Sequence, residues 1–184
     1  MRGIPQDSER KDRITVEDVF TFNDTSFGDK FEREPYIARF SVSDAAITDF
    51  YIAGCHVKPT DAQNEIGYLV DVYNTIKSKW TLENGIITGD LNADCSYWPD
   101  SQKTSNPLRN DSATFLWITG DEMDTTVASS ASSDCAYDRI ILTGSEMKNN
   151  WKNARVDRFD IDLGLTLEET KAVSDHYPVA FTIQ

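Results

Sequence analysis

The chain holds two histidines, His56 and His176, and each stands at a strand boundary rather than inside an apolar stripe. An imidazole so placed is available for acid–base chemistry near neutral pH, although a histidine is more often structural than catalytic. Three acidic strings flank apolar runs in the same way. Gly89-Asp90-Leu91-Asn92-Ala93-Asp94 leaves a run of β-type residues and at once presents two carboxylates and an amide. Oxygen donors in that arrangement suit a hard cation such as Mg²⁺, which keeps waters for a substrate phosphate. They suit an Asx turn after a strand equally well. Tyr137-Asp138-Arg139-Ile140 sets one acid just before an apolar strand, and Ser174-Asp175-His176-Tyr177-Pro178 puts an acid beside an imidazole ahead of the last one. Neighbouring side chains of an extended segment point opposite ways, so Asp175 and His176 cannot simply pair. Asp175 is then free to serve a metal, and Asp138 is the candidate to orient His176. The alternative is a polar turn into a strand.

These residues need a scaffold, and the pattern supplies one. Val16 to Phe22 alternates like a strand, Tyr36–Val42 and Asp49–His56 read as adjacent strands, and Gly85–Gly89 is a short buried strand that stops at Asp90. Pro59 and the string Thr60-Asp61-Ala62-Gln63 predict a capped helix whose apolar face is Ile66, Leu69, Val70, Tyr73, Ile76 and Trp80. A second helical stretch is expected around Leu108–Trp117, then strands at Arg139–Thr143 and Val179–Ile183. Strands alternating with helices, with polar residues at strand ends, indicate an α/β layered domain whose ligand site lies off those ends.

At 184 residues the chain has room for one domain, with residues 1–13 expected to be disordered. Eighteen basic residues against 31 acidic ones give a net charge of −13, the opposite of a passive nucleic-acid coat. A phosphate substrate must be held locally, which carboxylates gathered around a divalent cation permit. No apolar stretch approaches the ~18 residues of a membrane span, and Met1 to Arg10 lacks the apolar core of a secretory signal. Three cysteines exclude a disulfide scaffold and leave one pair and one odd thiol.

The strings Gly89–Tyr97, Cys135–Ile140 and Ser174–Val179, together with Arg33-Glu34-Pro35 and Cys55–Ala62, resemble the deoxyribonuclease I branch of the endonuclease/exonuclease/phosphatase superfamily from about residue 14 onward. The resemblance implies that His56 and His176 are the acid–base pair, that Asp138 orients His176, that Asp90 and Asp175 lie at Mg²⁺, and that Asn92 meets the scissile phosphate. It implies that Arg33 and Tyr97 contact double-stranded DNA, and that Cys95 and Cys135 form the structural disulfide. Asp124 and Thr126 resemble the start of one Ca²⁺ loop, and Asp29, Phe31 and Glu34 resemble another. Secretion is implied as well, whereas actin contacts belong mainly to the family's other half and are not expected here.

The family stacks two sheets, and the half supplying one of them also supplies a metal-binding Glu and the Glu that orients the first imidazole. Neither Glu has a counterpart here. The expectation is therefore a partial domain resembling the C-terminal half, one sheet with its outer helices. Expressed alone, it should lack nuclease activity and expose the sheet face to which Ile52, Ile87 and Ile141 contribute. A Mg²⁺- and Ca²⁺-dependent endonuclease leaving 5′-phosphate ends is the leading reading. An inactive, calcium-stabilised binding module is the alternative. A phosphatase or sphingomyelinase of the superfamily is disfavoured by the Cys-Ser-Tyr and Cys-Ala-Tyr strings.

Overall fold

A computed structural model describes residues 13–128 and 134–184, so the expected disorder before Arg13 and most of the small-residue run Ala128–Ser133 lie outside the described residues. Six strands, β1 (Ile14–Thr21), β2 (Tyr36–Val42), β3 (Asp49–Gly54), β4 (Gly85–Asp90), β5 (Leu116–Trp117) and β6 (Asp138–Thr143), form a sheet in the order β1-β2-β3-β4-β6-β5. Only β3 and β4 are parallel, and the crossover between them is helix α1 (Ala62–Trp80). The other pairings are antiparallel, including β4 with β6, where Asp90 stands directly opposite Asp138.

Alternation along the strands divides the core in two. Tyr51, Ala53, Ile87 and Ile141 point one way and meet Ile66, Leu69, Val72 and Ile76 of α1. Burying side chains of this size is worth roughly 1.5–3 kcal/mol each. Phe50, Ile86, Ile140 and Leu142 point the other way and meet Met147 of α4 (Ser145–Asn149) with Trp151 and Phe181. The last two belong to a two-stranded ribbon, β7 (Trp151–Val156) with β8 (Val179–Ile183).

The layered α/β architecture is thus present, with two corrections to the single-sheet expectation. A second sheet exists as the β7–β8 ribbon over the other face, and Ile87 and Ile141 are fully buried under α1 rather than exposed. Exposed large apolar residues of the six-stranded sheet include Ile14, Val16 and Val19 of β1 and Tyr36 of β2.

Two local expectations also change. The string Thr60–Gln63 forms no capping box: Pro59–Asp61 is a single 3₁₀ turn, Asp61 caps α1 without a side-chain bond, and Gln63 instead accepts from the Trp98 indole. A reciprocal capping box does occur at Thr166 and Glu169, opening α6 (Leu167–Val173) just after α5 (Phe159–Leu163). The segment Leu108–Trp117 is not one helix. Asn106 caps α3 (Pro107–Asn110), which follows the short α2 (Asp100–Lys103), and Leu116 and Trp117 then pair with Leu142 and Ile141 at the sheet edge.

Candidate active site

The parallel pair β3–β4 and the antiparallel β6 bring three chain segments together at one end of these interior strands. His56 lies two residues past β3, Asp90 is the last residue of β4, and Asp138 is the first of β6. Gly89 allows the close approach. Its φ is +138°, and a Cβ there would lie 2.0 Å from the Cys55 carbonyl oxygen. We expect Gly89→Ala to destabilise the fold by more than about 2 kcal/mol, because backbone strain and a backbone clash coincide. Urea unfolding checks this, and an unchanged midpoint would contradict it.

Beyond Gly89 the chain turns through Asn92 in the left-handed region, φ 48°, with its backbone N–H donating to Asp90 Oδ1 at 3.0 Å and its side-chain amide to the Val57 carbonyl at 2.9 Å. Asn92 is buried. Asp94 ties this turn to β6, since one oxygen accepts from Ala136 N–H at 3.0 Å and the other meets buried Lys103 at 2.8 Å. Arg139, fully buried, donates to the Ala93 carbonyl at 3.0 Å and to Asp121 at 2.6 Å. The turn that carries Asp90 and Asn92 is therefore fixed from behind by charged hydrogen bonds, which are stronger than neutral ones.

His176 arrives from the other side. Its backbone bridges to Thr126, with Val127 N–H donating to the Asp175 carbonyl and Tyr177 N–H to the Thr125 carbonyl, both at 2.8 Å. The imidazole Nδ1 meets Asp138 Oδ2 at 2.6 Å, which leaves Nε2 for chemistry. Ligand atoms of Asp90, Asp138 and His176 lie within 4.8 Å of one another. His56 Nε2 stands 3.4 Å from Asp90 Oδ2, its side chain about half exposed. Two imidazoles and two carboxylates therefore converge. Asp175 is exposed and lies outside the three-residue group, beside His176 on an open cleft of about 380 Å³ that Ser96, Thr126, Tyr137 and the Cys95–Cys135 disulfide also line.

The electrostatics follow from this crowding. Burial, and then the facing Asp138, push the Asp90 carboxyl above the usual carboxylate range, with its Asn92 hydrogen bond acting the other way. A carboxyl raised by burial and a facing acid is one that a hard divalent cation would hold ionised. The hydrogen bond to Asp138 raises the His176 imidazole to about 8 against the opposing effect of burial. That value lies above the ordinary histidine value of roughly 6.5, so the pair's stabilisation is complete below that pH and is lost as pH rises through the folded value. In metal-free buffer we expect the protein to lose on the order of 1–2 kcal/mol between about pH 6 and 9, and Asp138→Asn to flatten that slope. Urea midpoints across this range decide it; a wild-type midpoint that holds or rises would contradict the pairing.

The remaining expected site residues fall in four places. Tyr97 is exposed, its ring 5.3 Å from Tyr137, which in turn lies 6.0 Å from the His176 ring, so an aromatic row leads into the site. Arg33, also exposed, donates to the His56 carbonyl at 3.2 Å. Asp29 and Glu34 form an acidic group with Asp24, whose Oδ2 accepts from the N–H groups of Lys30 and Phe31 at 2.7 and 2.8 Å, while the Phe31 ring is buried against Phe22. Asp124 Oδ1 accepts from Thr126 N–H, Thr126 Oγ1 and Cys135 N–H at 2.9, 2.7 and 3.1 Å. Asp24 escaped the sequence reading because Asn23-Asp24-Thr25 looks like an ordinary turn; its spacing to Lys30-Phe31, the two donors it accepts from, was the available signal.

The Endonuclease/Exonuclease/phosphatase family profile matches residues 10–176. The chain belongs to that family. Among curated members of the endonuclease/exonuclease/phosphatase family it is 38% identical over 179 residues to deoxyribonuclease-1 of Bos taurus, covering 95% of this chain and 62% of that protein. It is 41% identical over 175 residues to deoxyribonuclease gamma of Mus musculus, covering 93% of this chain and 56% of that one. The chain thus spans 56–62% of the length of these two relatives. Among solved structures, a humanized D. rerio TDP2 shares the fold at TM-score 0.61 and 17% identity, over 94% of this chain and 69% of that one. D. rerio TDP2 complexed with a single strand DNA product gives 0.59 at 17% identity, over 94% and 70% of the two chains.

Proposed function

We propose that this family member hydrolyses phosphodiester bonds of double-stranded DNA with Mg²⁺, leaving 5′-phosphate ends, and is stabilised by Ca²⁺. The observation that carries the reading is the 2.6 Å His176–Asp138 pair beside Asp90, with His56 Nε2 3.4 Å from the Asp90 carboxylate. Two imidazoles at one carboxylate pair suit a reaction that moves a proton at each end, one ring taking it from water and the other giving it to the leaving 3′ oxygen. Asp90, with Asp175 on the rim, would hold Mg²⁺; when bound, the ion offsets charge on the phosphoryl oxygens. Asn92 is the neutral donor for the same oxygens.

Arg33 and Tyr97 position the duplex by its backbone and minor groove without reading sequence. Asp24, Asp29, Glu34 and the Phe31 backbone would hold one Ca²⁺, and Asp124 with Thr126 another. The relatives named deoxyribonuclease support this substrate, and the disulfide supports an oxidising, secretory compartment.

Asp90 stands 3.4 Å from the half-exposed His56 ring, so in place of the inactivity expected from sequence we expect a slow enzyme limited by His56. The test is nicking of supercoiled plasmid with Mg²⁺ and Ca²⁺ against a chelator control. Relaxation that requires the divalent ions fits the proposal, and none at high protein concentration would refute it for this chain.

A further inference from the structure

Glu65 sits in the first turn of α1 and is only 1% exposed. A carboxyl group that deep must have its oxygens satisfied. Each takes one backbone donor, Oε1 from Glu32 N–H at 3.1 Å and Oε2 from Lys58 N–H at 3.0 Å. Those donors belong to two different loops, one entering β2 and one leaving β3. Glu32 is the neighbour of Arg33, and Lys58 lies two residues past His56. Two surface contacts close the same ring: Arg33 donates to the His56 carbonyl at 3.2 Å, and Lys58 Nζ meets Glu32 at 2.7 Å. Exposed pairs of this kind contribute little, so the buried clamp is Glu65.

We propose that Glu65 is a positioning residue that sets the spacing between Arg33 and His56. The proposal rests on the DNA-hydrolysis reading and deepens it. A backbone phosphate held by Arg33 is registered against the His56 imidazole only while both loops stay fixed to α1. Displacement of a reacting group by about 1 Å can cost on the order of 10²-fold, and the partial role expected for His56 sets a smaller effect here. Releasing the clamp should raise KM through Arg33 and lower kcat through His56, for a combined loss of about 10-fold in kcat/KM.

Glu65→Gln keeps the size of the side chain and one acceptor, but turns an amide N–H₂ toward one of the two donors. Lys58→Pro removes one donor at a residue whose φ of −67° proline adopts, and serves if the first variant does not fold. Each is made in the full chain and read in two ways. By two-dimensional NMR at fixed pH without metal, the His56 ring and Arg33 side-chain signals should shift and broaden while those of His176 stay in place. By plasmid nicking, KM should rise and kcat should fall together. A folded variant with unchanged His56 and Arg33 signals overturns the proposal, as does one whose loss is spread equally over both histidines. If the wild-type chain does not nick DNA, the functional reading fails, and the NMR signals still decide the clamp.

Discussion

Replacing His176 by alanine is expected to lower plasmid nicking by about 10² to 10⁴-fold, the range for loss of a general acid or base. His56→Ala should cost nearer ten-fold. The asymmetry follows from how each ring is held. His176 has a carboxylate at 2.6 Å, three-quarters burial of its side chain and a backbone bridge to Thr126. The His56 ring is half exposed and meets Asp90 only at 3.4 Å. A ring fixed by its neighbours spends its time in the reactive geometry, and a loosely held one does not. Asp138→Asn should approach the His176 loss, because the amide cannot stabilise the imidazolium and turns it toward the wrong tautomer. Initial rates of supercoil loss at matched protein concentration, with circular dichroism confirming the fold, check the series. Equal rates for wild type and His176→Ala would remove His176 from the chemistry.

Reduction of the Cys95–Cys135 disulfide is expected to destabilise the fold by about 4 kcal/mol, roughly a thousand-fold in the folding equilibrium. The bridge closes a separation of 40 residues, with the two Cα atoms 5.9 Å apart, and it joins the turn after Asn92 to the segment before Asp138. Its loss would therefore loosen the register between Asp90 and Asp138 as well as global stability. Cys55 should take no part. It is buried, and burial pushes its thiol up to about 12, so it stays protonated and unreactive. Urea midpoints with and without reductant measure the cost. Peptide mapping that finds Cys55 bridged would contradict the assignment.

Much of this architecture was legible in the sequence because strand ends and polar strings coincide. Gly85–Asp90 and Asp138–Thr143 could be read as strands bearing an acid at one end, and His56 and His176 as boundary residues. The residue pattern offered Asp138 as the partner of His176 and the resemblance implied the same, while the pairing of Cys95 with Cys135 came from the resemblance alone; both pairs meet in the structure. The facing of Asp90 and Asp138 was not legible, since antiparallel register is a tertiary fact. Nor was Glu65, which in sequence is one more acid near a helix start; only burial marks it as a clamp. The ribbon β7–β8 was half seen, because Trp151–Val156 carries Lys152, Asn153 and Arg155 and looks like a loop, while Trp151 reaches the second core cluster. The capping string at Thr60 misled because Trp98, distant in sequence, competes for Gln63.

The most direct test of the central claim is the chemistry of the nick. Plasmid relaxed by the wild-type chain in Mg²⁺ and Ca²⁺ should be resealed by DNA ligase without prior kinase treatment, because hydrolysis of the P–O3′ bond leaves a 5′-phosphate and a 3′-hydroxyl. Nicks that ligase cannot seal, or relaxation that persists in full when the divalent ions are chelated, would contradict it.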